Sequence, residues 1–265
     1  MLFGKVLKIR TYQAKKLRIL RLSASMKRMS KTANTEVSIE KMFEAGAHYG
    51  YSKTRRHPSA SSFVFTTKNK TDIIDLEKTE KSLKEACDFI KDLGARNKVI
   101  LFVGTKPEAR EAIKMASESI NMPYVIERWI GGSISNFTEI KKRITELENY
   151  KIDSEKGDLE KYTKKERLIL SKKMEKLSKY YSGMLGMKKI PDAVLVIDAK
   201  KEHIGATEAR KCNVPVIALA NTDSNIKGIT YSVIANDASR QSISLFAKAF
   251  SEAYKAGQMS VPDKN

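Results

Sequence analysis

The chain has few cysteines and no long hydrophobic run. Cys87 and Cys212 are its two cysteines, they lie far apart, and neither belongs to a CxxC pair. Both stand in apolar, helix-like surroundings, which predicts reduced, packed thiols in a reducing compartment. No apolar stretch approaches the ~18 residues that span a bilayer, and the N-terminus lacks the apolar core and cleavage site of a secretory signal. We therefore expect neither a secreted disulfide scaffold nor a membrane-spanning protein.

Acidic residues are absent from residues 1–35, which carry ten Lys or Arg. The 265-residue chain has a formal charge of +19, so the rest of the chain retains +9 without that segment. An excess of this size predicts a polyanionic partner, either nucleic acid or an anionic membrane surface. Three interpretations of the segment stay open: a disordered basic arm that folds onto RNA, a start codon assigned upstream of the true Met26 or Met29, or an organelle transit peptide.

Sequence signatures of catalysis are missing as well. The chain has no GxGxxG and no GxSxG, and Gly104-Thr105-Lys106 lacks the upstream glycine of a phosphate-binding loop. Asp198 follows an apolar run without a second acid at a paired spacing, which favours a helix cap or a loop hydrogen bond. His48 and His57 could share a metal, yet no Cys or acid completes the set, and His203 is expected at the surface. We predict no catalytic residue, no metal site and no cofactor.

What the sequence does contain is a regular alternation of strands and helices. The continuous apolar runs 99–103, 193–197 and 216–220 are typical of strands buried on both faces of a sheet. Further strands are predicted at 63–65, 72–75 and 124–126, helices at 38–45, 77–93, 206–212, 237–255 and from 107 onward, and a loop at 50–62. Strands that alternate with helices indicate an α/β protein with a parallel sheet and right-handed crossovers.

Residues 137–185 interrupt the alternation with two heptad-like apolar stripes. The stripes consist of Phe137, Ile140, Ile144 and Leu147, then Leu170, Met174, Leu177, Tyr181 and Met184. A polar link around 153–158 separates them, so the segment is predicted to form an inserted antiparallel α-helical hairpin, a coiled coil. Its outer faces mix acids with many lysines, as any solvated coiled coil can, but the basic body favours a side that faces RNA.

The predicted domain organisation follows from these patterns. Residues 1–36 form a basic N-terminal extension, either disordered or the product of a misassigned start. Residues 37–136 and 186–258 together form an α/β RNA-binding domain, which the hairpin 137–185 interrupts. Residues 259–265 form a short C-terminal tail.

The only Trp of the chain stands in the segment Arg128-Trp129-Ile130-Gly131-Gly132-Ser133. Two adjacent glycines permit a positive φ or a close approach to another surface. Arg beside Trp suits phosphate contact and stacking on a base or sugar. The alternative is a structural turn whose Trp packs against its own domain.

Several motifs in order resemble the bacterial-type small-subunit ribosomal protein S2 family over about residues 37–256. They are Phe43-Glu44-Ala45-Gly46-Ala47-His48-Tyr49-Gly50, Ile73-Ile74-Asp75-Leu76-Glu77-Lys78-Thr79, Leu101-Phe102-Val103-Gly104-Thr105-Lys106, Arg128-Trp129-Ile130-Gly131-Gly132, Thr163-Lys164-Lys165-Glu166, Pro191-Asp192-Ala193-Val194-Leu195-Val196-Ile197-Asp198 and Asn236-Asp237-Ala238-Ser239-Arg240. Three stretches depart from the usual family pattern. Tyr51 replaces a His, Arg56-His57-Pro58-Ser59-Ala60 replaces Trp-Asn-Pro-Lys-Met, and Asn221-Thr222-Asp223 replaces Asp-Thr-Asn.

The resemblance implies a flavodoxin-like (Rossmann-like) parallel sheet flanked by helices, with the hairpin inserted. It also implies a structural protein that binds small-subunit rRNA between head and body, joins late in assembly and catalyses no reaction. Neighbouring small-subunit proteins are the implied partners, among them the mRNA-binding protein S1 where an organism has it. Neither a membrane nor a homo-oligomer is expected. The implied location is the bacterial cytoplasm, or an organelle ribosome if residues 1–35 are a transit peptide.

Basic residues along the chain are the predicted RNA contacts. They are Lys53, Arg55, Arg56, Lys68, Lys70, Lys106, Arg128, Lys141, Lys142, Lys164 and Lys165, with Trp129 anchoring its loop on RNA or against the sheet. Phosphate contacts position the protein, whereas base reading in A-form RNA is not expected because its deep groove hides the base edges. Alternative hypotheses are a nucleotide-dependent Rossmann-like enzyme near Gly104–Lys106 and Asp198, another RNA-binding factor, and a membrane-surface protein anchored by its basic tail.

Overall fold

The computed structural model describes residues 37–156 and 162–260. The predicted N-terminal extension, the tip of the predicted hairpin at 157–161 and most of the predicted C-terminal tail lie outside these ranges. The strands are β1 (Tyr49–Ser52), β2 (Val64–Lys68), β3 (Thr71–Ile74), β4 (Ile100–Val103), β5 (Tyr124–Val125), β6 (Ala193–Ile197), β7 (Val216–Ala220) and β8 (Tyr231–Ile234). The helices are α1 (Ile39–Glu44), α2 (Leu76–Ala95), α3 (Pro107–Glu118), α4 (Phe137–Lys156), α5 (Lys164–Tyr181), α6 (His203–Lys211) and α7 (Arg240–Ser260).

A five-stranded parallel sheet forms the centre of the fold, in the order β5-β4-β6-β7-β8. Every residue of β4, β6 and β7 is buried, as their continuous apolar runs predict. The parallel α/β sheet flanked by helices is therefore confirmed. Strand β8 is not predicted from the sequence, because it lacks a continuous apolar run: it begins with the half-buried residues Tyr231 and Ser232.

Hydrophobic clusters cover the two faces of the sheet. One cluster joins alternate strand residues such as Phe102 and Leu195 to α2, α3 and α7. The other joins the opposite strand residues, such as Leu101 and Val196, to Trp129, the bases of α4 and α5, and α6. This alternation along each strand places helices on both sides of the sheet and keeps the carboxyl ends of the strands free for loops.

A second, antiparallel sheet of three strands, in the order β1-β3-β2, precedes the main one. The prediction of a loop at 50–62 is wrong there, because β1 and two short 3₁₀ turns (Lys53–Arg55 and Pro58–Phe63) occupy this stretch. No alternation of apolar and polar residues marks the four residues Tyr49–Ser52, so their pairing with β3 supplies the regularity. Helix α1 does begin after the predicted cap, since the Ser38 hydroxyl accepts from the Lys41 amide at 3.4 Å.

Helices α4 and α5 occupy the predicted insertion and contact each other. The predicted apolar stripe of α4 is buried, as are Met174 and Tyr181 of α5. Lys173 of α5 forms an ion pair with Glu146 of α4. A capping box between Thr163 and Glu166 begins α5. Across the described ranges, no helix has the length and hydropathy to span a membrane.

Candidate nucleic-acid interface

Three predicted contact residues meet at one end of the small sheet. The turn between β2 and β3 is tight, because Asn69 and Lys70 adopt positive φ of 51° and 64°. Lys68 pairs with Thr71 across this turn, and the Lys53 amide donates to the Lys70 carbonyl at 2.9 Å. All three lysines are exposed, and none forms an ion pair with a described residue. We call Lys53, Lys68 and Lys70 the lysine cluster; its charges are free to meet phosphate.

Arg55 lies beside this cluster but is partly engaged. Its guanidinium carbon lies 4.5 Å from the centre of the Tyr51 ring, and its Nη2 lies 3.5 Å from Asp223 Oδ2. The side chain keeps 55% of its surface exposed. Arg55 can therefore reach an anion with its outer edge while Tyr51 supports the plane of the guanidinium.

Arg56 is bound inside the fold, contrary to its prediction as an RNA contact. Its Nε donates to Asp72 Oδ2 at 2.7 Å and its Nη2 to Asp72 Oδ1 and the Thr67 hydroxyl. Asp72 is fully buried, and hydrogen bonding from Arg56, opposed in part by burial, holds the pKa of this carboxyl below its usual value. Arg56 therefore neutralises a buried acid, which disfavours a role as a phosphate ligand.

Lys106, another predicted phosphate contact, also forms ion pairs within the fold. Its ammonium lies 3.1 Å from Asp198 Oδ2 and 3.4 Å from Asp237 Oδ1, and only 13% of the side chain is exposed. Burial alone would lower the pKa of Lys106, but the two carboxylates raise it overall. Burial raises the pKa of Asp237 to about 6. Asp237 is the second acid near Asp198 that sequence spacing did not reveal.

The donors that a nucleotide would need beyond β4 are occupied. The Thr105 amide donates to Glu202 Oε1 at 3.0 Å, and the Thr105 hydroxyl binds the same oxygen. A Cβ on Gly104 would lie 2.9 Å from Ile113 Cγ1, so this glycine serves close packing against α3. Asp198 makes the expected loop hydrogen bond, accepting from the Lys201 amide at 3.0 Å. These contacts disfavour a phosphate site at Gly104–Lys106.

The Gly-Gly segment binds an anion, but that anion is part of the protein. The Glu208 carboxylate on α6 accepts hydrogen bonds from Trp129 Nε1 at 2.9 Å and from the amides of Gly132, Ile134 and Ser135 at 3.2, 2.8 and 2.9 Å. The Ser135 hydroxyl donates at 3.0 Å. Converging backbone N–H groups of this kind form a nest for a negative charge. We call residues 128–136, held in this way, the clamped loop.

Trp129 is buried, which favours the alternative in which it anchors its loop by packing against its own domain. Only 7% of the residue is exposed, and its ring lies in the core cluster that includes Leu101 and Val196. A Cβ added to Gly205 of α6 would lie 3.0 Å from Trp129 Cδ2, which shows how closely helix and ring pack. Arg128, the neighbour of Trp129, is exposed.

The remaining predicted contacts lie on helices α4 and α5. Lys141 and Lys142 are exposed on α4, and Lys164 and Lys165 are exposed on the first turn of α5. Lys142 Nζ lies 2.6 Å from Glu139 Oε1, an exposed pair three residues apart on one helix. Such a pair is weak, so it leaves Lys142 able to exchange partners.

The histidines serve local structure. His57 caps the 3₁₀ turn Pro58–Phe63, with Nδ1 3.2 Å from the Ser59 amide. His48 stacks between the rings of Phe43 and Tyr49, with ring centres 4.3 and 4.1 Å away. Within residues 37–156 and 162–260, no group of three or more His, Cys, Asp or Glu is placed to hold a metal.

Residues that sequence reasoning missed are chiefly acids. Glu208, Asp237, Asp223 and Glu202 each bind basic or amide groups from distant parts of the chain. Spacing along the sequence contains no signal for such pairs, because 73 or more residues separate Glu208 from the loop it binds.

Known proteins resemble this chain over most of its length. The model of the family described as ribosomal protein S2 matches residues 42–257. The small ribosomal subunit protein uS2 of Helicobacter hepaticus is 40% identical over 228 residues, which cover 86% of each chain. The uS2 of Helicobacter acinonychis is 39% identical over 222 residues, covering 84% of this chain and 90% of that protein. The uS2 of Helicobacter pylori strain Shi470 is 39% identical, covering 84% of each. This chain therefore belongs to the ribosomal protein S2 family.

Proposed function

We propose that this chain is a structural component of the bacterial small ribosomal subunit and holds small-subunit rRNA through phosphate contacts between head and body. The observation that carries the proposal is the lysine cluster, three exposed ammonium groups at one end of the small sheet. The chain charge of +19 adds a general attraction to RNA. The curated relatives, whose names place them in the small subunit, support the assignment.

Three parts of the chain belong to this proposal. Residues 37–136 and 186–258 act as the α/β RNA-binding domain, with Arg55, Arg128, Lys141, Lys142, Lys164 and Lys165 as additional phosphate contacts. Residues 137–185 form an antiparallel coiled-coil hairpin, supported by the buried stripe of α4 and the ion pair between Glu146 and Lys173. Residues 1–36 act as a basic arm on RNA. Neighbouring small-subunit proteins, including S1 where present, bind the same assembly, and the bacterial relatives support a cytoplasmic ribosome.

The proposal is tested by removing the lysine cluster. Lys53, Lys68 and Lys70 are replaced together with Ala, and binding is measured against Helicobacter hepaticus small subunits washed free of their own uS2. Each lost phosphate contact lowers the magnitude of the slope of log K against log salt by about 0.7–0.9. We expect a fall of about 2 for the triple variant.

A matched variant controls for net charge. Lys81, Lys84 and Lys91 are exposed on α2, and replacing them with Ala removes the same charge from another surface. We expect the salt slope of this control to stay close to that of the unmodified chain. Equal slopes for both triple variants would contradict the assignment of the lysine cluster to RNA contact.

A further inference from the structure

The Glu208 carboxylate satisfies the clamped loop almost alone. It accepts five hydrogen bonds, three of them from backbone amides of Gly132, Ile134 and Ser135. Burial by itself would raise the pKa of Glu208, but these bonds lower it overall, so the carboxylate is charged at neutral pH. Hydrogen bonds to an ionised acceptor are shorter and stronger than neutral ones. One side chain therefore fixes most of the loop.

The loop is held in part by its own bonds, since the Ser133 amide and hydroxyl donate to the Ile130 carbonyl and the Asn136 amide donates to the Gly132 carbonyl. The amides of Gly132, Ile134 and Ser135 have Glu208 as their acceptor. Gly132 adopts φ +89°, and a Cβ on Gly131 would meet no atom within 4 Å. Without Glu208, the converging amides would face one another with no acceptor in common. Unsatisfied donors are costly when buried, so the loop would rearrange to reach water. The conformation of residues 128–136 thus depends on a residue of α6.

The clamp lies next to an exposed basic side chain. Arg128 is exposed, and it adjoins Trp129, whose indole N–H is bound by Glu208 and whose ring is buried. Arg128 therefore projects from a backbone that is fixed on one side. At the other end of the loop, Phe137 begins α4 immediately after Asn136. A charge held in this way loses less conformational freedom when it meets a phosphate.

We propose that Glu208 is a positioning residue for RNA binding, which acts by holding Arg128 in the orientation that contacts phosphate. The inference rests on the proposed function. It adds one acidic residue, Glu208, to the basic residues on which RNA binding is proposed to depend. Glu208 itself touches no RNA in this account. Its effect on RNA affinity passes entirely through the loop.

A double-mutant cycle tests this coupling on the washed Helicobacter hepaticus subunits. The variants are Arg128→Ala, Glu208→Gln and the two together, in the full chain. A phosphate contact by a charged donor corresponds to a loss of roughly tenfold in affinity, with a slope lowered by about 0.7–0.9. We expect both losses in each single variant and no further loss in the double variant. Losses that multiply in the double variant, or a Glu208→Gln variant with unchanged affinity and slope, would overturn the proposal.

Two further measurements separate positioning from simple loss of structure. Trp129 is the only Trp in the chain, so its fluorescence reports the clamped loop directly. If Glu208→Gln fails to fold, Ser135→Ala and Glu208→Asp replace it in the cycle, because the first removes one bond and the second keeps a carboxylate. We expect Glu208→Asp to restore most of the salt slope, and Ser135→Ala to show a smaller loss that Arg128→Ala abolishes. The proposal would also be overturned if Ser135→Ala or Glu208→Asp changed the salt slope by the same amount in the Arg128→Ala background as in the unmodified chain.

The same data distinguish this inference from the proposed function. If the unmodified chain fails to bind the washed subunits, the proposed function is wrong and the inference is lost with it. If the chain binds and the lysine-cluster variant lowers the slope, while Arg128→Ala and Glu208→Gln do not, only the inference is wrong.

Discussion

Some basic side chains in this fold are bound to buried carboxylates and are themselves largely buried, whereas others face solvent without an internal partner. Arg56 and Lys106 belong to the first group, and the lysine cluster belongs to the second. The two groups are expected to respond differently to substitution. Loss of an internally paired cation leaves a buried negative charge and destabilises the fold. Loss of a surface lysine only weakens the attraction between the protein and a negatively charged partner.

Replacement of Arg56 with Ala tests this distinction. The variant leaves the Asp72 carboxylate buried without its main partner, since Asp72 is fully buried and Arg56 supplies two of its hydrogen bonds. Removing one member of a buried ion pair costs about 3 kcal/mol or more. We expect that loss in the free energy of unfolding by urea. Lys53→Ala is the control and is expected to stay within about 0.5 kcal/mol of the unmodified chain; a similar result for Arg56→Ala would refute the internal role.

The Glu208 clamp predicts a particular dependence of stability on pH. The folded-state pKa of Glu208 is lowered, so its carboxylate stabilises the fold above the unfolded pKa of about 4.3. That contribution is lost as the pH falls from about 4.3 through the folded pKa. We therefore expect the stability difference between the unmodified chain and Glu208→Gln to shrink as the pH falls below about 4.3. A difference that is constant over this range would show that the charge is not what holds the loop.

At the scale of single residues, the sequence identified candidate cations but not their partners. Lys53, Lys68 and Lys70 were chosen for their charge alone. Their meeting at one end of the small sheet required the pairing of β3 with both β1 and β2. The sequence marks the segment around Trp129 as either an RNA contact or a structural turn. Only the hydrogen bond from Trp129 to Glu208 shows how this segment is held. Long-range pairs of this kind are set by the fold, so local patterns cannot reveal them.

Helix packing depends on glycines that bring two backbones together. Gly94 of α2 and Gly257 of α7 face each other, and a Cβ on either would overlap a carbonyl oxygen of the other helix. These helices also make the most extensive contact between elements in the described residues. The glycines thus allow a close crossing that covers one face of the main sheet.

Replacement of Gly257 with Ala is expected to destabilise the fold. The added methyl group collides with the Lys91 carbonyl, which is backbone and cannot rotate away. Overpacking of this kind costs about 1–3 kcal/mol, measured as a lower melting temperature in calorimetry. Gly131→Ala is the matched control, because its methyl group would meet no atom within 4 Å. Equal melting temperatures for the two variants would refute the close crossing.

Strongly periodic elements were predictable from the sequence, and short ones were not. The apolar runs of β4, β6 and β7 and the periodic faces of α2 and α4 have enough residues to indicate their type. Strand β1 has four residues of mixed character, so its pairing with β3 decides its conformation. The same limit applies to β8, which extends the main sheet by pairing with β7.

For the whole molecule, charge and fold address different questions. The formal charge of +19 predicts a polyanionic partner but no site, whereas the parallel sheet invites a nucleotide at its carboxyl edge. In the described residues, Lys106 and Thr105 at that edge are bound to carboxylates. The lysine cluster, Arg128 of the clamped loop and Lys141 of α4 are exposed and form no ion pair with a described residue. This distribution favours a large polyanion over a small ligand.

Removal of residues 1–36 tests whether the basic arm belongs to the RNA-binding surface. Ten of the positive charges of the chain lie in this segment. If the arm contacts phosphates, the truncated chain binds washed small subunits with a smaller salt slope. We expect a decrease of at least about 2 in that slope. An unchanged slope would show that the arm does not take part in binding.

Sedimentation tests directly whether the protein is part of a working small ribosomal subunit. The chain is tagged at its C-terminus in its own organism, and lysates at low and at normal magnesium are run through sucrose gradients. We expect the protein to migrate with free small subunits at low magnesium and also with whole ribosomes at normal magnesium, and to be absent from the top fractions. A protein that stays at the top of the gradient under both conditions would contradict it.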